Sequence, residues 1–123
     1  RVSMNVAILG ASIKPERYSN QAVRLLAEKG HAVFPVHPAV PEISGHRVFK
    51  ALADIPDPVD TVTMYVSPSH STGMADAILA VRPRRVIFNP GTENPELEET
   101  LSAAGIETVH ACTLVLLRTG QFG

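Results

Sequence analysis

The chain has 123 residues, of which 45% are apolar and 19% charged, and its formal net charge is -1. That length suits one domain with one core and leaves no room for a cofactor domain joined to a separate catalytic domain. The near-neutral balance excludes a global pull toward nucleic acid or anionic membrane, and the single cysteine, Cys112, excludes an intramolecular disulfide and favours a reducing compartment.

Residues 6–9, Val-Ala-Ile-Leu, form an apolar run that predicts a buried first strand. The run ends in Gly10-Ala11-Ser12 and crosses a polar loop, Ile13-Lys14-Pro15-Glu16-Arg17-Tyr18. Ser19 or Asn20 is placed to cap a helix with Ala22, Val23, Leu26 and Ala27 on one face, stopped by Gly30. Residues 32–36 read as a second strand, with Pro35 tolerated away from the sheet centre. Residues 37–41, His-Pro-Ala-Val-Pro, form a proline-stiffened loop, and residues 49–55 a short helical turn bounded by Pro56 and Pro58.

Residues 59–66, rich in β-branched side chains, predict a third strand. Ser67-Pro68-Ser69-His70-Ser71 leads to a helix with Met74, Ala75, Ile78 and Leu79 on one side, ending near Pro83. Residues 85–88 are the fourth strand, followed by the loop Asn89-Pro90-Gly91-Thr92-Glu93. Asn94 caps the next helix, Pro95 takes its first position and Glu96 suits its positive end. Leu97, Leu101 and Ala104 form its inner stripe and Gly105 stops it. Residues 106–109 are the fifth strand, and residues 113–119 a closing helix or an edge strand.

Alternating strands and helices predict βαβ units. The expected fold is α/β: a three-layer, Rossmann-like, doubly wound and mainly parallel five-stranded sheet with helices on both faces, formed by residues 1–123 as a single domain. No apolar stretch is long enough to span a bilayer, and Arg1-Val2-Ser3-Met4-Asn5 lacks the apolar region of a signal peptide. A cytoplasmic location is the default expectation. The first residue is not Met, as in a trimmed or partial sequence.

Ligands of such sheets bind beyond the carboxyl ends of the strands. Gly10 lets backbone amides approach a ligand oxygen, Ser12 supplies a hydroxyl, and Ser19 and Asn20 add donors at a helix start. Lys14 and Arg17 add positive charge, and arginine holds phosphate bidentately. A plain strand-to-helix turn with solvated cations accounts for the same residues. Two of the three glycines of G-x-G-x-x-G are absent, and Val36-His37-Pro38 lacks the acidic residue that holds a dinucleotide ribose, which argues against a dehydrogenase. His37 suits a phosphate or ribose, or a capped loop. Val66-Ser67-Pro68 offers a wall for base or ribose, with Ser69 or Ser71 as a plain helix cap. Asn89-Pro90-Gly91-Thr92 suits a second anionic group or a pantetheine-like arm, or simply a well-made turn. His70 reads as a surface residue and Cys112, with His110 close in sequence, as a buried inert thiol. No spacing suggests a metal site or a hydrolase.

The chain resembles the small stand-alone CoA-binding domain family, related to the CoA-binding amino-terminal domain of succinyl-CoA synthetase α subunits. The resemblance rests on Val6-Ala7-Ile8-Leu9-Gly10-Ala11-Ser12 with Pro15-Glu16-Arg17-Tyr18-Ser19, on Val36-His37-Pro38, and on Leu52-Ala53-Asp54-Ile55-Pro56-Asp57-Pro58-Val59-Asp60. The strand end Val66-Ser67-Pro68 and Ala103-Ala104-Gly105-Ile106 leading to Cys112 extend it over nearly the whole chain. It implies that Gly10, Ala11, Ser12, Lys14, Arg17, Ser19 and Asn20 hold the CoA phosphates. His37 and Pro38 would border the nucleotide, Val66, Ser67 and Pro68 would lie beside adenosine or upper pantetheine, and Asn89, Pro90, Gly91 and Thr92 would face the arm. The chain departs from many members at Phe88-Asn89-Pro90-Gly91, and no histidine here matches the phosphorylated one of the synthetase's second domain. The implied function is therefore binding of CoA or an acyl-CoA as a ligand, without turnover. The rival readings are an NAD- or NADP-dependent enzyme fragment and an interaction module without ligand. A homo-oligomer or an unidentified protein partner stays open.

Overall fold

The computed structural model describes residues 3–123; Arg1 and Val2, part of the amino-terminal stretch read above, lie outside the described residues. The elements run β1 (Asn5–Leu9), α1 (Tyr18–Glu28), β2 (Ala32–Val36), β3 (Glu42–Ile43), β4 (His46–Arg47), β5 (Thr61–Met64), α2 (Pro68–Ser71), α3 (Ala75–Val81), β6 (Arg85–Phe88), α4 (Pro95–Ala103), β7 (Glu107–His110) and α5 (Thr113–Arg118). Single 3-10 turns occupy Leu52–Asp54 and Thr72–Met74. Five strands form one parallel sheet in the order β2-β1-β5-β6-β7. This is the expected doubly wound α/β fold.

Side chains alternate across each strand. Ala7, Leu9, Val62, Met64, Val86 and Phe88 meet Ile78 of α3 and Leu97 and Leu101 of α4 on one face. Val6, Ile8 and Ile87 meet Val23 and Leu26 of α1 and Leu114 and Leu117 of α5 on the other. Ala22, Val23 and Leu26 are fully buried, so the spacing seen in the sequence is the packing face of α1. His31 N–H donates to the Leu26 carbonyl and Gly30 N–H to that of Ala27, with Gly30 at φ 91°, a left-handed stop that releases the chain into β2.

Pro35 sits in β2 opposite Ile8. Its carbonyl accepts from Phe49 N–H at 2.9 Å, and the Phe49 carbonyl accepts from His37 N–H at 3.0 Å. A residue's N–H and C=O point to the same side of a strand. The donor that Pro35 lacks therefore faces away from β1, and no bond of that ladder is lost. The parallel bridge Val36↔Phe49 makes residue 49 a rudiment of an outer strand beyond β2.

Several boundaries differ from the sequence reading. Arg17, not Ser19 or Asn20, holds the N-cap position of α1, and its side chain makes no cap bond. Ser19 and Asn20 fall inside the first turn because Tyr18 is already helical. Ser67 rather than Ser69 or Ser71 precedes α2, since Pro68 suits the first helical position. The third strand is shorter than residues 59–66, leaving Tyr65 and Val66 at the sheet's carboxyl edge. The closing segment is a helix, not an edge strand. The hairpin β3–β4 was not expected; Ser44 (φ 49°) and Gly45 (φ 81°) form its turn, as two-residue hairpins require. Among the described residues no helix is long and apolar enough to cross a membrane.

Candidate functional site

β1 lies inside the sheet, with β2 on one side and β5 on the other. The chain leaves β1 for α1 on one face and leaves β5 for α3 on the opposite face. The loops after these adjacent strands therefore part, and a crevice opens between them. Gly10 forms its base at φ 90°, with Tyr65 N–H bonded to the Leu9 carbonyl (2.8 Å) on one side and Ala11 N–H to that of Val36 (3.3 Å) on the other.

Side chains of α1 tie down the loop that follows. Asn20, 1% exposed, donates through Nδ2 to the Ser12 carbonyl at 2.8 Å and accepts on Oδ1 from Arg24 Nε at 2.8 Å. Arg24 Nη2 donates to the Pro15 carbonyl at 2.8 Å and Gln21 Nε2 to that of Glu16 at 3.0 Å. Lys14 N–H donates to Ser12 Oγ at 3.1 Å and Arg17 N–H to the Lys14 carbonyl at 3.1 Å. The loop carbonyls thus turn toward α1, and the uncapped start of α1 carries the partial positive charge of the helix. Arg24 and Gln21 were not singled out from sequence. Their signal is their spacing of four and one from Asn20, which puts Arg24 on the same helix face.

Two cavities share Gly10 as a wall, one lined almost wholly by apolar side chains and the other by a mixture of polar, charged and aromatic ones. The first, about 260 Å³, is lined by Leu9, Gly10, Val36, Pro38, Leu52, Val66 and Met74, with Lys50, Ala51 and Ala77 completing it. The second, about 420 Å³, is lined by Gly10, Ser12, Glu16, Arg17, Tyr18, Ser19 and Tyr65. Glu16 and Arg17 bring one charge of each sign to its rim. Of the residues expected at the site, Gly10, Ser12, Arg17 and Ser19 line the polar cavity, and Gly10, Pro38 and Val66 the apolar one.

The remaining expected residues line neither cavity. Ala11 is buried, Lys14 is exposed and Asn20 braces the loop. His37 Nδ1 accepts from the amides of Ala39 (3.0 Å) and Val40 (3.3 Å), the capped-loop arrangement. Ser67 and Pro68 are exposed; Ser67 Oγ hydrogen-bonds His70 Nδ1 at 2.9 Å. Asn89 is turned inward: Nδ2 donates to Thr63 Oγ1 and to the Met64 carbonyl, both at 2.8 Å, and Oδ1 accepts from Thr113 N–H at 2.8 Å. Thr92 Oγ1 donates to the Asn89 carbonyl at 2.7 Å. Pro90 and Gly91 are left as the exposed part of that loop.

Tyr65 links the polar cavity to this internal network. Its ring lines the cavity, while its hydroxyl is buried without a well-directed hydrogen bond. The hydroxyls of Thr63 and Thr113 lie near it but bond each other at 2.8 Å. Burial pushes the Tyr65 phenol up to about 12, against the weaker pull of those two hydroxyls. Cys112 is half-buried rather than fully buried, at the N-cap of α5 and close enough to Tyr65 to disfavour its phenolate. Exposed His110 bonds the Glu98 carboxylate through Nε2, and that carboxylate's other oxygen accepts from Asn94 N–H at 2.8 Å. The pair ties β7 to α4.

The opposite edge of the sheet holds cavities of about 300 and about 670 Å³. The larger is lined by Asp60, which pairs with Arg84 at 3.2 Å, and by chain-end residues. Neither has a strand-end loop with a helix start. Among the described residues no group of three or more His, Cys, Asp or Glu side chains converges on a point.

A crystal structure of an uncharacterized protein superposes on the chain with a TM-score of 0.93 at 43% identity, over 99% of this chain and 100% of that one. The uncharacterized protein YneT of Bacillus subtilis (strain 168) is 25% identical over 119 residues, 90% of this chain and 88% of its own length. The dinucleotide-forming acetyl-coenzyme A synthetase 1 of Ca. Korarchaeum cryptofilum shares the fold with a TM-score of 0.76 at 24% identity, over 88% of this chain and 25% of that enzyme. The profile of the CoA binding domain matches residues 4–118. A parallel sheet split at Gly10, with an uncapped helix start on one side and an apolar cavity on the other, agrees with that match, and the chain belongs to the CoA binding domain family.

Proposed function

We propose that the protein binds CoA or an acyl-CoA at the carboxyl edge of its sheet and holds it without turnover. The observation that carries this reading is the pair of unlike cavities sharing Gly10. A ligand with a flat apolar base at one end and a diphosphate next to it matches that pair. The base and ribose lie between Pro38 and Val66, and the diphosphate crosses Gly10 to meet Ser12, Ser19, Arg17 and the start of α1. Arg17 offers a planar fork to phosphate oxygens, with Lys14, Ala11 and Asn20 shaping the loop around them. His37, Ser67 and Pro68 border the nucleotide. The arm then passes along the rim toward Asn89, Pro90, Gly91 and Thr92.

Binding rather than chemistry follows from what faces the ligand. Neither Cys112 nor His110 lines the cavities, and the groups that do are holders of charge and shape. In the acetyl-coenzyme A synthetase of matching fold the shared part is 25% of the chain, consistent with a domain that contributes ligand binding to a larger machine and stands in this chain as a binder. A reducing, cytoplasmic compartment, where CoA thiols persist, suits one cysteine and no disulfide.

A thermal-shift panel tests the reading. A ligand at a hundred times its dissociation constant stabilises by about 2.7 kcal/mol, a rise on the order of 10 °C for a chain of this size. CoA and acetyl-CoA are expected to raise the melting temperature above the rise given by NAD, ATP or AMP. An equal or larger shift with NAD, or no shift with CoA, would overturn it.

A further inference from the structure

We propose that Lys50 recognises the phosphate ester on the ribose of the bound nucleotide, making the site selective for CoA over dephospho-CoA. This rests on the binding reading above and adds a specificity-determining residue to it.

Among the described residues, Lys50 is the only charged one lining the apolar cavity. Its backbone is held on both sides. Phe49 is bonded to β2 through the Pro35 carbonyl and His37 N–H, and Leu52, 3% exposed, anchors the 3-10 turn that follows. The lysine Cα is thus fixed at the cavity mouth while its side chain is exposed. Among the described residues its ammonium makes no hydrogen bond or ion pair. The other cation of that segment, Arg47, lies over the Phe49 ring at 4.9 Å from its centroid and does not line the cavity.

A CoA molecule carries its diphosphate and its ribose phosphate at different positions. With the diphosphate at the start of α1 and the base in the apolar cavity, the ribose phosphate cannot turn inward. Leu9, Val36, Leu52 and Met74 offer it no donor, and burying an unpaired phosphate is costly. It must leave through the mouth, where Lys50 supplies a compact, mobile positive charge on a four-carbon stem. A pyridine dinucleotide phosphorylated on the neighbouring ribose hydroxyl presents the same kind of group, so it belongs in the test.

Calorimetric titration of the full chain with CoA, dephospho-CoA, NADP and NAD distinguishes these cases. The wild type is expected to bind CoA about tenfold more tightly than dephospho-CoA, the scale of one charge-assisted contact. Lys50→Met is expected to lower CoA affinity to that of dephospho-CoA and leave dephospho-CoA affinity unchanged, while Lys50→Arg keeps most of the preference. Equal binding of CoA and dephospho-CoA by the wild type, or an equal loss for both in Lys50→Met, would overturn the role of Lys50 alone. Binding of neither would overturn the ligand reading with it, and tighter binding of NADP than of CoA would assign the phosphate to the wrong nucleotide.

Discussion

Gly10 and Val66 meet across the crevice so closely that a Cβ on Gly10 would stand 2.7 Å from Val66 Cγ1 and 3.0 Å from the Tyr65 carbonyl carbon and oxygen. Gly10 also holds φ 90°, a conformation that L side chains rarely adopt. Its bareness therefore serves the close approach of two strand-end loops. Gly10→Ala is expected to lose about 1–3 kcal/mol of stability and to weaken CoA binding. Adding Val66→Ala removes the side-chain clash only, so the double variant recovers part of the loss. An unchanged denaturation midpoint in Gly10→Ala would refute the account.

Asn20 braces the loop between β1 and α1, joining the Ser12 carbonyl to Arg24. Asn20→Ala leaves the half-buried Ser12 carbonyl without its donor and removes one of the two hydrogen bonds of the Arg24 guanidinium, at a cost of about 1–3 kcal/mol. The loop between Ser12 and Arg17 should then exchange its amide protons faster. Hydrogen exchange confined to that segment, with CoA affinity reduced, is the expected signature; protection equal to wild type would dismiss the bracing role.

Glu16 and Arg17 are neighbours of opposite charge on the polar cavity. Arg17→Ala is expected to weaken CoA binding about tenfold, and Glu16→Gln to strengthen it severalfold by removing a like charge from the phosphates. Both effects should shrink as salt is raised, because these side chains are exposed. A titration in which Glu16→Gln weakens binding would place the phosphates elsewhere.

The raised pKa of Tyr65 makes a pH prediction. The phenol's ordinary value of 10.0 becomes about 12 in the fold, chiefly through burial. The folded state therefore favours the neutral phenol. That stability is complete below pH 10.0 and is lost as pH rises toward about 12. In Tyr18→Phe, which leaves Tyr65 as the only tyrosine, phenolate absorbance should appear only as the alkaline transition approaches. Titration near pH 10.0 with the fold intact would show the hydroxyl to be solvated.

Asp60 sets the opposite dependence. Burial by itself would raise its carboxyl pKa, but hydrogen bonds from Thr61 Oγ1 and Arg84, with the charges of Arg84 and Arg85, outweigh it and hold the value below 3.8. The stabilisation is present above pH 3.8 and lost as pH falls through the lower folded value. The carboxylate is 31% exposed and its Arg84 partner 53%, so solvent screening limits Asp60→Asn to about 0.5–1 kcal/mol at neutral pH. A variant as stable as wild type at pH 7 would show that the pair contributes nothing net.

The five main strands and the packing faces of α1 and α4 were legible because each is a local pattern. Residues 6–9 and 86–88 are continuous apolar or β-branched runs, and the buried faces Ala22-Val23-Leu26 and Leu97-Leu101 follow the helical period. Asn94 reads as a cap from sequence and is one, its side chain accepting from Leu97 N–H. The start of α1 was misplaced because a capping side chain was expected where an uncapped turn stands. The hairpin β3–β4 was missed because two-residue strands have no periodicity to detect.

Alternation of apolar runs and helical stripes was enough to determine the layers and the parallel sheet, since burial of a strand and of a helix face depends on neighbouring residues in the chain. Which side chains share a cavity depends on strand order instead. The placement of β5 against β1 brings Val66 onto Gly10, the bridge of Phe49 to the outer edge of β2 sets Lys50 and Pro38 on one cavity, and the pairing of β6 with β5 turns Asn89 inward to Thr63 and Thr113. Those contacts are set by strand pairing, so no local spacing encodes them, and the fold alone divides the rim into an apolar pocket and one lined by polar and charged side chains.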